Sequence, residues 1–385
     1  MPERREHLLV AGVSTRALAA SAARAGHRVT AVDAFGDIDL RERAEVLPSG
    51  HGAGRFNPAE AAERARTVPA SLVAYTANFE NYPDAVAALA AGRRLLGNPP
   101  AVLRRVRNPI TLMRALRGRG FAVPETRASP PSAECRGCRW LVKPRRSGGG
   151  HGTSAWRPGA RVPRRSYLQE RIPGPAGSIV FLADGRRAVP LGLSRQLVGD
   201  SAFGAHGFRY CGSLLGTTGR PVFDRQDHVL DAARALMAAV TEEFGLVGLN
   251  GLDFIARSGM PYPIEVNPRY SASMELVERA TGLSLFELHG AACRGFLPAE
   301  QSVSGLVTGK AIVFAQREVT VGEGFRWRAD GDLADVPHPE ERIQRGHPIC
   351  TVFATGPDAS TCTKRLRLRA ERVYQMVETR ARGAA

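Results

Sequence analysis

Residues 140–172 read WLVKPRRSGGGHGTSAWRPGARVPRRSYLQERI, and residues 248–269 read GLNGLDFIARSGMPYPIEVNPR. In the first stretch an apolar strand ends on Lys143 and runs into a loop holding Gly148, Gly149, Gly150 and Gly152, after which a second strand, YLQERI, returns. A strand-end lysine facing a glycine loop can hold nucleotide phosphates while the loop's bare amides fold over them. The spacing differs from GxxxxGK[ST], which excludes a Walker A loop. A surface hairpin is the plain alternative, since glycine runs are common there. Lysine usage weighs against it: of 53 cationic residues only Lys143, Lys310 and Lys364 are lysine. A lysine kept at this position points to a compact ammonium that a forked guanidinium would not replace.

In the second stretch polar residues interrupt apolar strands at Asp253, Glu265 and Asn267. Glu265 and Asn267 are two apart and share one strand face. Buried carboxylates are costly unless paired or bound to a cation, and two carboxylates with an amide oxygen form a hard donor set suited to Mg²⁺ bridging phosphates. A salt bridge from Arg269 to Glu265 is the alternative that needs no metal.

Outward from these stretches the organisation changes twice. HLLVAGVSTRALAASAARAGHRVTAVDAF (residues 7–35) reads as strand, glycine turn, alanine-rich helix and a second strand ending at Asp33. With SLVAYTA, DAVAALAAGRRLL and LLGN it predicts an open parallel sheet wound with helices over residues 1–105. Only Gly12 precedes the helix, so the dinucleotide fingerprint GxGxxG is missing. From Asn108 a helix and a Pro/Ser-rich link lead into the Lys143 strand. SIVFLADG and AVPLGLSRQLV predict antiparallel strands, and DRQDHVLDAARALMAAVTEEF a long helix. The expected domains are 1–105, 106–300 and a small closing domain, 301–385.

A chain of 385 residues, 43% hydrophobic and 23% charged, has the composition of a globular protein of two or three domains. The net charge of +16 invites a nucleic-acid partner, but the arginines are spread from end to end and no RNA- or DNA-binding pattern accompanies them. No apolar run approaches the roughly 18 residues of a membrane span, and no signal-peptide core precedes the first glycine turn, so the expected location is cytoplasmic. Six scattered cysteines do not make a disulfide framework. Cys135 and Cys138 form one CxxC, expected to be reduced and inert, with a redox role as the alternative. No GxSxG elbow is present.

Taken in order, the helix closed by glycine, Lys143 with its glycine loop, YLQERIPG, LDFI and IEVNPR resemble the ATP-grasp carboxylate-amine ligases over residues 1 to about 355. The resemblance implies a mixed α/β and α+β fold: an N-terminal open parallel sheet (the pre-ATP-grasp domain), a two-subdomain ATP-grasp clamp and a small C-terminal domain. It implies ATP and Mg²⁺, with Lys143, Gly148, Gly149 and Gly150 on the phosphates and the strand Gln169, Glu170 to Ile172 as the hinge against adenine. Asp253, Glu265 and Asn267 would hold Mg²⁺, and Arg269 would face an acyl phosphate. Arg209 and Tyr210, in the loop GAHGFRYCGS, are the candidates for the acceptor substrate. Two positions depart from the pattern. The family usually carries a further lysine where this chain reads VRNPIT, with Arg107 or Arg105 as substitutes beside Pro109, and a ribose-binding acid where it has Ala176.

Within the family, NFENYP, FRYCGSLL, NPRYSASMEL and GKAIVFA are similar to a branch near the tyramine-glutamate ligases of one-carbon cofactor biosynthesis. The expected reaction joins a carboxylate, an amino acid such as glutamate, to an amine through an acyl phosphate. The expected partners are small molecules, with a homodimer as the candidate assembly. A regulatory, inactive nucleotide clamp and a dinucleotide-dependent oxidoreductase are the alternatives.

Overall fold

A computed structural model describes residues 6–49, 56–130, 139–322 and 331–378. Cys135 and Cys138 lie outside the described residues.

The N-terminal part is a five-stranded parallel sheet in the order Glu45–Pro48, Arg28–Asp33, His7–Ala11, Leu72–Tyr75, Arg94–Leu96. Its central strand runs Leu8, Leu9, Val10, Ala11 with no exposed surface. A central parallel strand is covered on both faces, which is why it reads as an unbroken apolar run. Gly12 follows because a Cβ there would meet Thr76 Oγ1 at 1.9 Å. The requirement is close packing onto the neighbouring strand end. Asp33 spends its carboxylate on internal turns, accepting from Thr15 N and Oγ1 and from the amides of Phe35 and Gly36. The carboxylate at the end of the second strand is thus engaged within the domain itself.

A four-stranded antiparallel sheet carries the lysine, in the order Thr126–Arg127, Ser166–Glu170, Trp140–Pro144, Ser154–Ala155. The largest sheet has eight strands: Met260–Asn267, Val247–Arg257, Ala176–Asp184, Ala188–Val198, Tyr210–Leu215, Val307–Phe314, Pro348–Gly356 and Leu333–Ala334. One face packs on the helices Gln226–Phe244 and Ala359–Glu378, the other on Met274–Thr281 and Leu285–Cys293 and so on the N-terminal helix Arg16–Arg24.

The expected boundary near residue 300 falls inside this sheet. Val307–Phe314 pairs with Tyr210–Leu215 from Gly212↔Ala311 to Leu215↔Thr308, and both ends contribute to one core. The tail strands therefore extend the clamp's sheet. Short apolar runs separated by turns look alike whether they build their own core or lengthen a neighbour's, so the pattern alone could not separate the two.

Candidate active site

The two sheets face each other across a cavity of about 1140 Å³. Lys143, Gly148, Gly149, Gly150, Gln169, Glu170 and Ile172 line it from the smaller sheet; Asp253, Glu265, Asn267, Arg269 and Tyr210 line it from the larger.

Asp253 and Glu265 sit directly opposite each other in the antiparallel pair, with Gly251 opposite Asn267. Alternation along the strand puts all three polar side chains on one face. Asn267 Nδ2 donates to Asp253 Oδ2 at 3.0 Å. Burial, then the neighbouring Glu265 carboxylate, pushes the Asp253 carboxyl up to about 6. Burial also opposes ionisation of Glu265, but Arg107, Lys143 and Arg269 outweigh it and hold that carboxyl below its usual range. Two coupled carboxylates, one of them under-compensated, with an amide beside them match the oxygen donor set of Mg²⁺. Among the described residues no group of three or more His, Cys, Asp or Glu makes an all-protein metal cage. Mg²⁺ completed by phosphate oxygens and water needs none.

Lys143 Nζ donates to Gln169 Oε1 at 3.1 Å and lies 5.9 Å from the Tyr167 ring centroid. Burial works against its charge, yet Tyr167 and Glu265 raise its pKa above the ordinary lysine value, so it is a fixed cation. Gln169 is thus engaged through its side chain, its Nε2 reaching Thr126 Oγ1 and Ile264 O at 3.4 Å. Glu170 pairs through its backbone and carboxylate with Glu125.

The glycine loop rests on the segment that precedes Tyr210–Leu215. Tyr210 N donates to Gly149 O at 3.0 Å, and a Cβ on Gly150 would lie 1.8 Å from Phe208 O. With φ of +75°, Gly150 is required on both counts. The segment expected to close over an acceptor substrate therefore also carries the loop.

Arg209 departs from expectation. Its guanidinium lies 3.7 Å from the Phe314 ring centroid, and it is absent from the cavity wall, whereas Tyr210 faces the cavity and bonds Ser213 Oγ at 2.9 Å. Arg209 lies just before the strand Tyr210–Leu215, where the chain turns its side chain towards Phe314 while Tyr210 enters the cleft.

Arg269 is also held otherwise than expected. Its ion pair is to Glu80 of the N-terminal part, 2.9 Å from Nη2, while Nη2 also donates to Asn267 Oδ1 at 3.2 Å. Of the two arginines beside Pro109, Arg107 enters the cleft. It donates to Glu265 Oε2 at 3.4 Å, Val266 O at 2.7 Å, Asn81 Oδ1 at 3.1 Å and Ser147 O at 3.4 Å. Arg105 turns outward to Glu243. Asn108 caps the helix Pro109–Gly118, with Pro109 at its first turn, which leaves Arg107 in the joint between two helices.

Sequence reasoning missed a polar row on the floor of the cavity. Ser178 lies opposite Asp253, and Gln196 opposite Ser213, all on the metal-side face. Each is a polar residue inside an apolar strand, the same signal that exposed Asp253. It also missed that Thr363, Lys364 and Arg367 of the last helix reach the cavity wall, with Arg367 paired to Asp200 at 2.9 Å.

Residues 106–273 match the family described as ATP-grasp domain. An uncharacterized protein of Methanocaldococcus jannaschii is 26% identical over 121 residues, 31% of this chain and 29% of that relative. The carbamoyl phosphate synthase large chain of Neisseria meningitidis is 30% identical over 83 residues, 22% of this chain and 8% of that one. The chain thus spans less than a third of the curated relatives it matches. Among solved structures, Rhizobium etli pyruvate carboxylase superposes with a TM-score of 0.74 at 16% identity, covering 96% of this chain and 37% of that one. L-amino acid ligase from Bacillus licheniformis superposes with a TM-score of 0.67 at 16% identity, covering 95% and 97%. No helix among the described residues is long and apolar enough to cross a membrane.

Proposed function

We propose that this chain, whose residues 106–273 match the ATP-grasp domain family, is an ATP- and Mg²⁺-dependent ligase joining a carboxylate to an amine. The observation that carries the reading is one cavity holding a charged lysine and glycine loop on one wall and the coupled pair Asp253 and Glu265 on the other. Phosphoryl transfer asks a protein chiefly for positioning and for cations around the transferring oxygens. Lys143 and the amides of Gly148 to Gly150 supply these from one side, Arg107 and Arg269 from the other. Asp253, Glu265 and Asn267 would hold Mg²⁺, which would supply positive charge to the phosphate oxygens.

In the proposed reaction a substrate carboxylate oxygen attacks the γ-phosphorus of ATP, the bond to the β-phosphate oxygen breaks, and ADP leaves. The nitrogen of a neutral amine then attacks the acyl carbon. The C–O bond to phosphate breaks, the nitrogen loses a proton, and an amide and inorganic phosphate result. The L-amino acid ligase among the similar structures supports an amino acid as the carboxylate. With Arg209 turned away, the preference for glutamate rests on the similarity of segments such as NFENYP alone. The absence of a second lysine favoured an inactive clamp; the position of Arg107 supplies a cation in its stead.

The test is release of ADP and phosphate from MgATP, screened over amino acids, glutamate included, with amines such as tyramine. The ligase reading expects equal yields of ADP and amide. MgATP turnover unaffected by any carboxylate would overturn it.

A further inference from the structure

Two successive residues of the short helical turn Phe79–Asn81, which follows the strand Leu72–Tyr75 of the N-terminal sheet, grip the two arginines of the cleft. Glu80, only 1% exposed, pairs with Arg269 Nη2 at 2.9 Å. Asn81 Oδ1 accepts from Arg107 Nε at 3.1 Å, and its Nδ2 donates to Asn78 Oδ1 and, at 3.5 Å, to Ser147 O at the entry of the glycine loop.

We infer that Glu80 and Asn81 are positioning residues that hold Arg269 and Arg107 away from the metal-side carboxylates and tie the glycine loop to the N-terminal sheet. The inference rests on the ligase reading above. Both arginines lie within electrostatic reach of Asp253 or Glu265. A guanidinium left to itself would settle as a bidentate fork on those carboxylates and occupy the oxygens that a divalent cation needs. In fact Arg107 gives its Nε to Asn81 and touches Glu265 only at 3.4 Å, and Arg269 pairs with Glu80 while its contact on the metal side is to the Asn267 amide oxygen at 3.2 Å, not to a carboxylate.

A purely adhesive role for Glu80 fits less well. Its Oε2 is buried without a hydrogen-bond partner among the described residues, as is Arg269 Nε. A buried carboxylate kept for adhesion pairs both oxygens, because each unmet one carries a desolvation cost. A restraint on one edge of a guanidinium needs only one oxygen.

The experiment measures binding of MgADP and of a magnesium complex of a non-hydrolysable ATP analogue by calorimetry, across a Mg²⁺ series at fixed pH. It uses wild type, Glu80→Gln, Arg269→Lys and the double variant, with thermal melting to certify the fold. Glu80→Gln is expected to need about tenfold more Mg²⁺ for the same nucleotide affinity, with the double variant no worse than the worse single, the non-additivity of two residues acting as one. Glu80→Asp, which keeps the charge, is expected to recover most of the wild-type dependence. Asn81→Leu provides an independent arm: trypsin cleavage after Arg145 and Arg146, mapped by mass spectrometry, is expected to persist with MgADP present where wild type becomes protected. An unchanged Mg²⁺ series in Glu80→Gln, effects that multiply in the double variant, or a wild-type cleavage pattern in Asn81→Leu would each overturn the positioning role while leaving the ligase reading intact. Wild-type protein that bound neither nucleotide would overturn the ligase reading and the positioning role with it.

Discussion

Two of the buried charge clusters among the described residues differ in how completely their charges are met. Between the N-terminal helix and the large sheet, Glu275 accepts from Arg16 Nη1 at 2.5 Å, Arg16 Nη2 at 3.0 Å and Lys310 Nζ at 2.7 Å, while Arg16 Nε reaches Asp335 at 2.8 Å. In the cleft, the contact from Arg107 to Glu265 is 3.4 Å, and Glu80 and Arg269 keep orphaned atoms. Titration follows the geometry. Burial opposes the Glu275 charge, but Arg16 and Lys310 hold the carboxyl far below the usual range, whereas Asp253 is pushed up to about 6. A closed cluster fastens domains together; an open one keeps unspent capacity for a ligand that brings its own charge.

The largest expected effect is on the closed cluster. Glu275→Gln leaves Arg16 and Lys310 buried without their shared anion, and breaking a buried pair from one side costs about 3–5 kcal/mol. Denaturant titration should show that loss, with nucleotide binding in the surviving folded fraction little altered. A variant as stable as wild type would break the contrast between the clusters.

In the open cluster the loss should appear as function. Lys143→Ala, and also Lys143→Arg, should reduce kcat/KM by roughly 2–4 kcal/mol in transition-state terms, the scale of removing one preorganised donor, with an unchanged melting temperature. Near wild-type kinetics in Lys143→Arg would mean that the guanidinium fits beside Gln169 and that lysine scarcity carries no information at this position.

How far the sequence discloses this arrangement depends on the kind of signal. Lys143, Asp253, Glu265 and Asn267 are legible because each interrupts an apolar strand or adjoins a glycine run, and strand alternation alone tells which of them share a face. The parallel sheet is legible from its unbroken apolar strands. What escapes is everything set by tertiary approach. Arg209 and Tyr210 are adjacent in sequence and opposite in direction. Glu80 and Arg269 are nearly two hundred positions apart, and nothing local pairs them. The tail strands join the clamp's sheet because edge pairing is decided by what lies beside an edge in space.

Glu275 and Asp253 should respond to pH with opposite sign, while Glu265 in the cleft shares the sign of Glu275. For Glu275 the folded pKa is depressed, so its stabilisation is present above the ordinary carboxylate range and is lost as pH falls toward the folded value. For Asp253 the folded pKa is raised, so its contribution is complete below the unfolded value and is lost as pH rises through about 6. Asp253→Asn should therefore stabilise the nucleotide-free protein at neutral pH by on the order of 2 kcal/mol. In wild type, Mg²⁺-nucleotide binding should release a proton near pH 6, visible as a buffer-dependent heat. Absence of both effects would place Asp253 among ordinary ionised carboxylates and remove the main difference between the clusters.

The smallest expected effect discriminates between neighbours. Arg105 and Arg107 lie two residues apart at the same helix end, and the sequence alone offers no choice between them. Arg105 is about half exposed, meets Glu243 at 3.3 Å and covers the Phe244 ring at 5.3 Å. An exposed pair of this kind contributes roughly 0–1 kcal/mol. Arg107 is largely buried and touches Glu265, Val266, Asn81 and Ser147, so its removal strips one partner from each of three chain segments at once. Arg105→Ala should leave MgADP affinity within about twofold of wild type, a margin set by the small worth of exposed ion pairs. Arg107→Ala should weaken it by at least about tenfold, the scale of losing charge-assisted hydrogen bonds at a buried site. Equal affinities for the two variants would show that the cleft does not use Arg107 as its second cation.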